Sequence, residues 1–301
     1  MITKFGKRFI TKYIAGNVDF SSKVLAVGIA NDSEYSLSDS NSRLGFEIYK
    51  VPVTFGSIDI QTENNVTSYY VIYKATLPQD LSGIINELGL YMGSKSSGNK
   101  YDSQFLSSFE DNLKWVDSDN YNPIYVESTT ELPSRIGNSL LKWSFINGFT
   151  NSSREFYQSI SEADLSGYSP KDSITLAFNR ADSNSEKIRI KFYTTNDDYY
   201  YVDTETLTQT GEQILEIPFS NITPATGTSP SLTSISKIGL EIFRSNTANN
   251  AEVYFDGLRI NDEDTFDPNF GLISRSILTS SLEKTSGRQV DIEYKINLGF
   301  N

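Results

Sequence analysis

The chain has no cysteine and no histidine in 301 residues. Without cysteine there is no disulfide, no zinc–thiolate site and no thiol nucleophile. Without histidine there is no Ser-His-Asp triad, no imidazole base and no imidazole-held transition metal. Chemistry is left to carboxylates, lysine, tyrosine and hard cations bound through oxygen. Positive charge is also short: 26 Lys and Arg stand against 38 Asp and Glu, a net charge of −12. That is the wrong sign for reading a phosphate backbone, so no nucleic-acid partner is expected. No run approaches the roughly 18 apolar residues of a membrane span, so no membrane insertion is expected. The basic opening, Met1 to Ile10, lacks the apolar stretch of a secretory signal.

What the chain does have is strand chemistry. Tyr and Phe number 18 each and Met only 2, and stripes of helical period are hard to find. Strands are expected at 24–30, 44–53, 66–76, 140–145, 173–178, 187–194, 213–218, 238–243, 252–260 and 290–298, with a strand pair around 54–76. Asn, Ser, Asp and Gly clusters separate them, as at 31–33, 38–42, 93–98 and 181–185. One helical turn is expected, at Gln79–Ile85. The fold class is all-β. A chain of this size buries about three quarters of its unfolded surface, which is enough for a core without staples.

Composition shifts at the Gly/Ser/Lys stretch Gly93–Lys100 and at the acidic stretch Asn261–Asn269. Both read as junctions. The 39-residue tail is too short to fold alone, and its alternation of Val290, Ile292, Tyr294, Ile296 and Leu298 with polar residues marks a half-buried strand. The expected organisation is a discontinuous β-rich domain, 1–99 with 263–301, interrupted by an inserted domain at 102–262. The basic residues Lys4, Lys7, Arg8, Lys12 and Lys23 read either as a contact with an acidic neighbour or as a solvated strand edge.

The inserted block opens Phe105-Leu-Ser-Ser-Phe-Glu-Asp-Asn-Leu-Lys-Trp115 and continues through Gly137–Phe145, Ala163–Tyr168, Gln213–Phe219 and Ile235–Phe243. It closes Ala251-Glu-Val-Tyr-Phe-Asp-Gly-Leu-Arg-Ile260. In this order the phrases resemble the jelly-roll carbohydrate-binding modules of the galactose-binding-like superfamily, which implies a β-sandwich. Asp256 in an apolar strand needs a partner. That partner is either neighbouring N–H groups or, as the resemblance implies, a structural calcium (Ca2+) held with Glu110 and backbone carbonyls. Glycan contact would use flat aromatic faces with polar groups to the hydroxyls. The candidates are Trp115, the run Tyr199, Tyr200 and Tyr201, and Arg244, while Trp143 reads as core. A Tyr-rich hairpin can also be ordinary strand packing. No motif sets two carboxylates together, so no catalytic residue is assigned and the chain is read as a binder, not an enzyme.

Within the first segment, Thr76-Leu-Pro-Gln-Asp-Leu-Ser-Gly-Ile-Ile-Asn-Glu-Leu-Gly-Leu-Tyr91 resembles a phrase of tailed-bacteriophage virion proteins, in tail-collar, fibre and baseplate components. The resemblance implies a structural component of a phage particle, assembled in the host cytoplasm. Its partners would be other virion proteins and copies of itself, with host-surface polysaccharide touched by the projecting jelly roll. The second reading is a free carbohydrate-binding module of a polysaccharide-degrading system, and the third a carboxylate glycosidase.

Overall fold

The computed structural model describes residues 1–16, 22–30, 37, 39–41, 43–63, 66–93, 104–110, 114–117, 126–132, 134–145, 151–168, 170, 172–261 and 270–298. The expected turns at 31–33 and 94–98, and the acidic stretch beyond Asn261, lie outside them. The molecule is all-β, 61% strand and 6% helix. The chain divides into two compact units, Met1–Asn99 with Thr265–Asn301, and Lys100–Asp264.

The first unit opens with helix α1 (Lys4–Ile14), followed by β1 (Ser22–Ile29), β2 (Phe46–Pro52), β3 (Thr54–Glu63), β4 (Val66–Leu77) and β5 (Gly83–Gly93). The second comprises β6 (Gln104–Ser107), β7 (Trp115–Asp117), β8 (Val126–Thr129), β9 (Leu140–Phe145), β10 (Ser153–Ala163), β11 (Ser173–Arg180), β12 (Ser185–Tyr193), β13 (Tyr199–Asp203), β14 (Gly211–Pro218), β15 (Thr223–Pro224), β16 (Ile235–Arg244) and β17 (Ala251–Asn261). The chain then returns to the first unit as β18 (Phe270–Lys284) and β19 (Val290–Asn297).

In the first unit the strands pair antiparallel in the orders β18–β5–β1–β2 and β19–β4–β3. The alternation read from the tail is real. Tyr294 and Ile296 of β19 enter one apolar cluster with Phe9, Leu25, Val27, Leu90 and Ile273. Inside this unit Glu87 and Arg275 form a fully buried ion pair, and Glu87 also accepts the Gly45 N–H at 2.8 Å. Those added bonds offset part of the desolvation of the two charges.

Two expectations fail here. Residues 79–85 form no helix: Gln79 and Asp80 are a turn, and β5 begins at Gly83 with φ 138°. Pro78 cannot continue the β4 ladder, and the few residues left before β5 are too short for a helix. Of the two readings of the basic residues, the strand edge fails for Lys4, Lys7, Arg8 and Lys12, which stand on α1, while Lys23 lies on β1. Thr3 caps α1, its hydroxyl accepting the Gly6 N–H at 2.9 Å. Phe5 and Phe9, four apart, stack at 5.7 Å on the buried face. Gly6 lies against the Ile273 carbonyl, where any Cβ would collide. Lys4 and Lys7 reach Asp39 at 3.6 and 3.2 Å.

The second unit is a β-sandwich. One sheet runs β15–β13–β12–β16–β10–β7 and the other β14–β11–β17–β9–β8, with β6 on β17. A single core joins them: Phe156, Ile188, Ile190, Phe192, Ile238 and Leu240 from the first meet Leu141, Trp143, Ile174, Leu176, Val253 and Phe255 from the second. Phe156 stands between Trp143 and Phe255, at 6.0 and 5.8 Å between ring centroids.

Candidate functional site

The sugar candidates divide by the parity of the strand. Successive side chains point to opposite faces, so three tyrosines in a row cannot share one. Tyr200 turns inward against the core, and its hydroxyl donates to the Pro230 carbonyl at 3.1 Å. Tyr199 and Tyr201 turn outward.

Trp115, expected as a sugar platform, is 4% exposed. It stacks on Phe109 at 5.1 Å and meets Phe156 edge-on at 5.0 Å, so no ring face is left for a ligand. Arg244 is buried as well. It donates to the Asn151 carbonyl at 3.0 and 2.8 Å and to the Asn249 carbonyl at 3.1 Å, clasping two loops together. These three residues are therefore structural in the fold, and the glycan assignment moves off them.

The outward face of the β12 sheet gathers the rest. The register places Glu155, Glu241, Arg189 and Asp203 side by side across β10, β16, β12 and β13. The next row is Tyr157, Gly239, Lys191 and Tyr201, and the row after it Ser159, Lys237, Tyr193 and Tyr199. The result is a platform of four tyrosines interleaved with charge, in which Tyr157, Tyr199 and Tyr201 are half-buried and Tyr193 is covered by its neighbours. Its inward counterparts Ile188, Ile190, Phe192, Ile238, Leu240 and Ile242 fill the core.

Ion pairs fix the platform. Lys191 bridges Glu155 at 2.6 Å and Glu241 at 3.0 Å, so two carboxylates that face each other across the ladder share one ammonium. Burial pulls the Lys191 pKa down, but the two carboxylates outweigh it and leave the pKa above the ordinary lysine value. Tyr193 donates its hydroxyl to Glu155, and burial together with that carboxylate raises its pKa far above the phenol range. Arg189 makes a fork to Asp203, with Nε to Oδ1 at 2.6 Å and NH2 to Oδ2 at 3.0 Å. Lys187 adds a contact to Asp203 at 3.1 Å. Burial pushes Asp203 up, but Arg189 and Lys187 together hold its pKa below the usual carboxylate range.

The cations also lie on rings. The Arg189 guanidinium is 4.3 Å from the Tyr201 centroid, and the Lys187 ammonium 4.3 Å from that of Phe243. At the centre Gly239 has no room for a side chain, because a Cβ would strike the Glu155 carboxylate and lie 3.0 Å from the Tyr193 ring.

Tyr157, Arg189, Lys191, Glu155 and Gly239 were not singled out from the sequence. The signal was there. Lys187-Ile-Arg-Ile-Lys-Phe-Tyr193 alternates strictly, and so does Lys237-Ile-Gly-Leu-Glu-Ile-Phe243.

The two metal candidates meet at one turn. Asp256 on β17 accepts the Arg135 N–H at 2.8 Å and the Ile136 N–H at 3.1 Å, one on each oxygen. Glu110 accepts the Asn138 N–H and, at 3.4 Å, that of Ser139. Between them Gly137 has φ 72° and sits so close to the Glu110 carboxylate that any Cβ would overlap it. Burial pushes the Asp256 pKa up to about 7 against these two N–H bonds. Amide hydrogens aimed at both carboxylates are a donor set for anions, so these residues, as arranged, fit the N–H alternative better than a cation. Among the described residues no group of three or more Asp or Glu side chains is placed to hold a metal ion. Nor is any helix of the described residues long and apolar enough to cross a membrane.

No protein-family model and no curated protein matches the chain. Similar solved structures include carbohydrate-binding modules. One is a family 11 module from Clostridium thermocellum in complex with a β-1,3-1,4-mixed-linked tetrasaccharide, at 16% identity and TM-score 0.38, covering 53% of this chain and 95% of that one. A second is a family 30 module, at 14% identity and TM-score 0.36, covering 54% of this chain and 96% of that one. An exo-β-agarase is similar at 14% identity and TM-score 0.38, and only 25% of that chain is covered. At scores and identities this low, the likenesses establish neither family nor ligand for this chain.

Proposed function

We propose that this protein binds a polysaccharide on the outer face of the β12 sheet and breaks no bond in it. The observation that carries the reading is the platform itself. Tyr157, Tyr199 and Tyr201 lie half-exposed on one sheet face around the buried Tyr193, with ion-paired charged groups between the rings. Apolar faces of sugar rings lie against aromatic rings, and hydroxyls bond to the groups between. Glu155 and Glu241 are spent on Lys191, Tyr193 and Ser153, which supports a binding role for them and not acid–base chemistry.

The test is affinity electrophoresis of the full chain through gels cast with polysaccharides. Tyr157→Ala is expected to abolish most of the retardation, and Tyr200→Phe, on the inward face, to leave it unchanged. Equal retardation of Tyr157→Ala and the unmodified protein would remove the platform from consideration.

The role of the first unit in this reading is attachment to a larger assembly, which from the sequence resemblance we take to be a tailed-phage particle. The supporting observation is β3, at one edge of its sheet. Its Phe55, Ile58 and Ile60 are 57%, 64% and 60% exposed. A free strand edge carrying apolar side chains is suited to pairing with a neighbouring chain. Ile58→Lys combined with Ile60→Lys is expected to abolish incorporation into particles without unfolding the chain. Unimpaired incorporation would end that assignment.

A further inference from the structure

Of the four cations on the platform, three are neutralised by it. Lys187 and Arg189 share Asp203, and Lys191 holds Glu155 and Glu241. Lys237 is the exception. It stands on β16 opposite Tyr193 of β12 and Ser159 of β10, with its ammonium 4.0 Å from the Tyr193 centroid and 4.3 Å from that of Tyr157. No described carboxylate lies within ion-pair distance of it, and its hydrogen-bond partner is the Asn196 side-chain oxygen at 3.5 Å. The positive charge thus sits between two flat rings without a carboxylate paired to it, although Glu155 and Asp197 act on it from farther off.

A ring quadrupole steadies a cation but does not neutralise it. The ammonium is also partly stripped of water, and that burial lowers its pKa. An anion arriving there meets a charge that is less screened than one in bulk solvent.

We infer that the polysaccharide this platform takes is an acidic one, with the anionic group of a sugar, a uronate carboxylate or a sulfate ester, on Lys237 and the adjoining sugar ring against Tyr157. The inference rests on the platform being a glycan site. The overall charge sharpens it: a chain of net charge −12 repels a polyanion as a whole. Attachment of an acidic glycan to it is therefore local, and Lys237 is the platform cation that no described carboxylate pairs.

The test uses the full chain and isothermal titration with four polymers: polygalacturonate, the same polymer after carboxyl reduction, dextran sulfate, and a neutral mixed-linkage glucan. Polygalacturonate or dextran sulfate is expected to bind at least about tenfold more tightly than the reduced or neutral polymer, and which of the two does so identifies the anionic group. Lys237→Met, which keeps the apolar stem between the rings, is expected to abolish that preference, and Lys237→Arg to retain it. Binding of the neutral glucan as tight as that of the acidic polymers, or an unaltered preference in Lys237→Met, overturns the inference and leaves the platform standing. Absence of binding to all four polymers, together with an unaffected Tyr157→Ala variant, overturns both. Melting curves of both Lys237 variants identify any loss that is due to unfolding.

Discussion

The sandwich carries two aromatic assemblies on the two sides of one sheet. Inside, Phe109, Trp115, Trp143, Phe156 and Phe255 pack ring on ring in a space sealed from water. Outside, Tyr157, Tyr193, Tyr199 and Tyr201 are spaced by lysine, arginine and glutamate. Phe156 and Tyr157 are consecutive residues, so the two assemblies are separated by the step of a single peptide. The inner one is held by excluded water, and the outer one by ion pairs, of which Arg189–Asp203 stays in reach of solvent and Lys191–Glu155 is nearly covered. What marks a ring as available is therefore the parity of its position and the polarity of its neighbours on the same face. Being aromatic, or even being tryptophan, marks nothing.

The contrast can be broken most forcefully from the inside. Phe156→Ala removes the ring between Trp143 and Phe255 and is expected to cost about 3–5 kcal/mol, seen as a large fall in denaturant midpoint. A cost near zero would mean that the inner rings do not form a common core. Next in size is Lys191→Met, which leaves Glu155 and Glu241 facing each other without their shared cation. The expected loss is about 3 kcal/mol, restored in part by adding Glu241→Gln. If the single and double variants are equally stable, the bridge contributes nothing.

A smaller effect comes from Asp256, on the other sheet. Its pKa in the fold is about 7 against an ordinary 3.8, so the folded state binds the proton more tightly than the unfolded chain does. Stability due to this group is full below about pH 4 and is lost as pH rises through 7. Between pH 5 and pH 7 the expected loss is about 2 kcal/mol, absent in Asp256→Asn. Asp203 works in the opposite sense, losing its contribution only below the ordinary carboxylate range, so titrations at pH 5 and above separate the two. The smallest effect is the sharpest for the comparison. Tyr201→Ala, on the outer face, is expected to cost less than about 1 kcal/mol of stability, although it deletes a whole ring. A loss as large as that of Phe156→Ala would erase the distinction between the two faces.

Much of the architecture could be read in advance because strand alternation and turn chemistry are local. The ladders from β1 to β19 include every strand expected from those patterns. The helix α1 was hidden because its signal is short: one capping threonine and two phenylalanines four apart, inside a run of lysines that also suits a solvated edge. The turn at 79–80 contradicted a helical reading because Pro78 and Gly83 leave no room for one.

At the site, residue type alone did not separate the three tyrosines of the run: parity turns Tyr199 and Tyr201 outward and Tyr200 inward. The outcome at Asp256 and Glu110 depends on the turn at 135–139 arriving with its N–H groups turned toward both side chains. Nothing in the sequence next to either carboxylate encodes that arrival.

The return of β18 to β5, and of β19 to β4, also has a consequence in time. β5 ends at Gly93 and β18 begins at Phe270. A ribosome reaches the second partner about 180 residues after the first, a delay on the order of ten to thirty seconds at ordinary rates of synthesis. During that interval the second unit emerges whole, while β4 and β5 wait with one edge each unpaired. Newly made chains of this protein are therefore most exposed to strand-to-strand mispairing until β18 and β19 have emerged, and that hazard should grow with the number of ribosomes on one message.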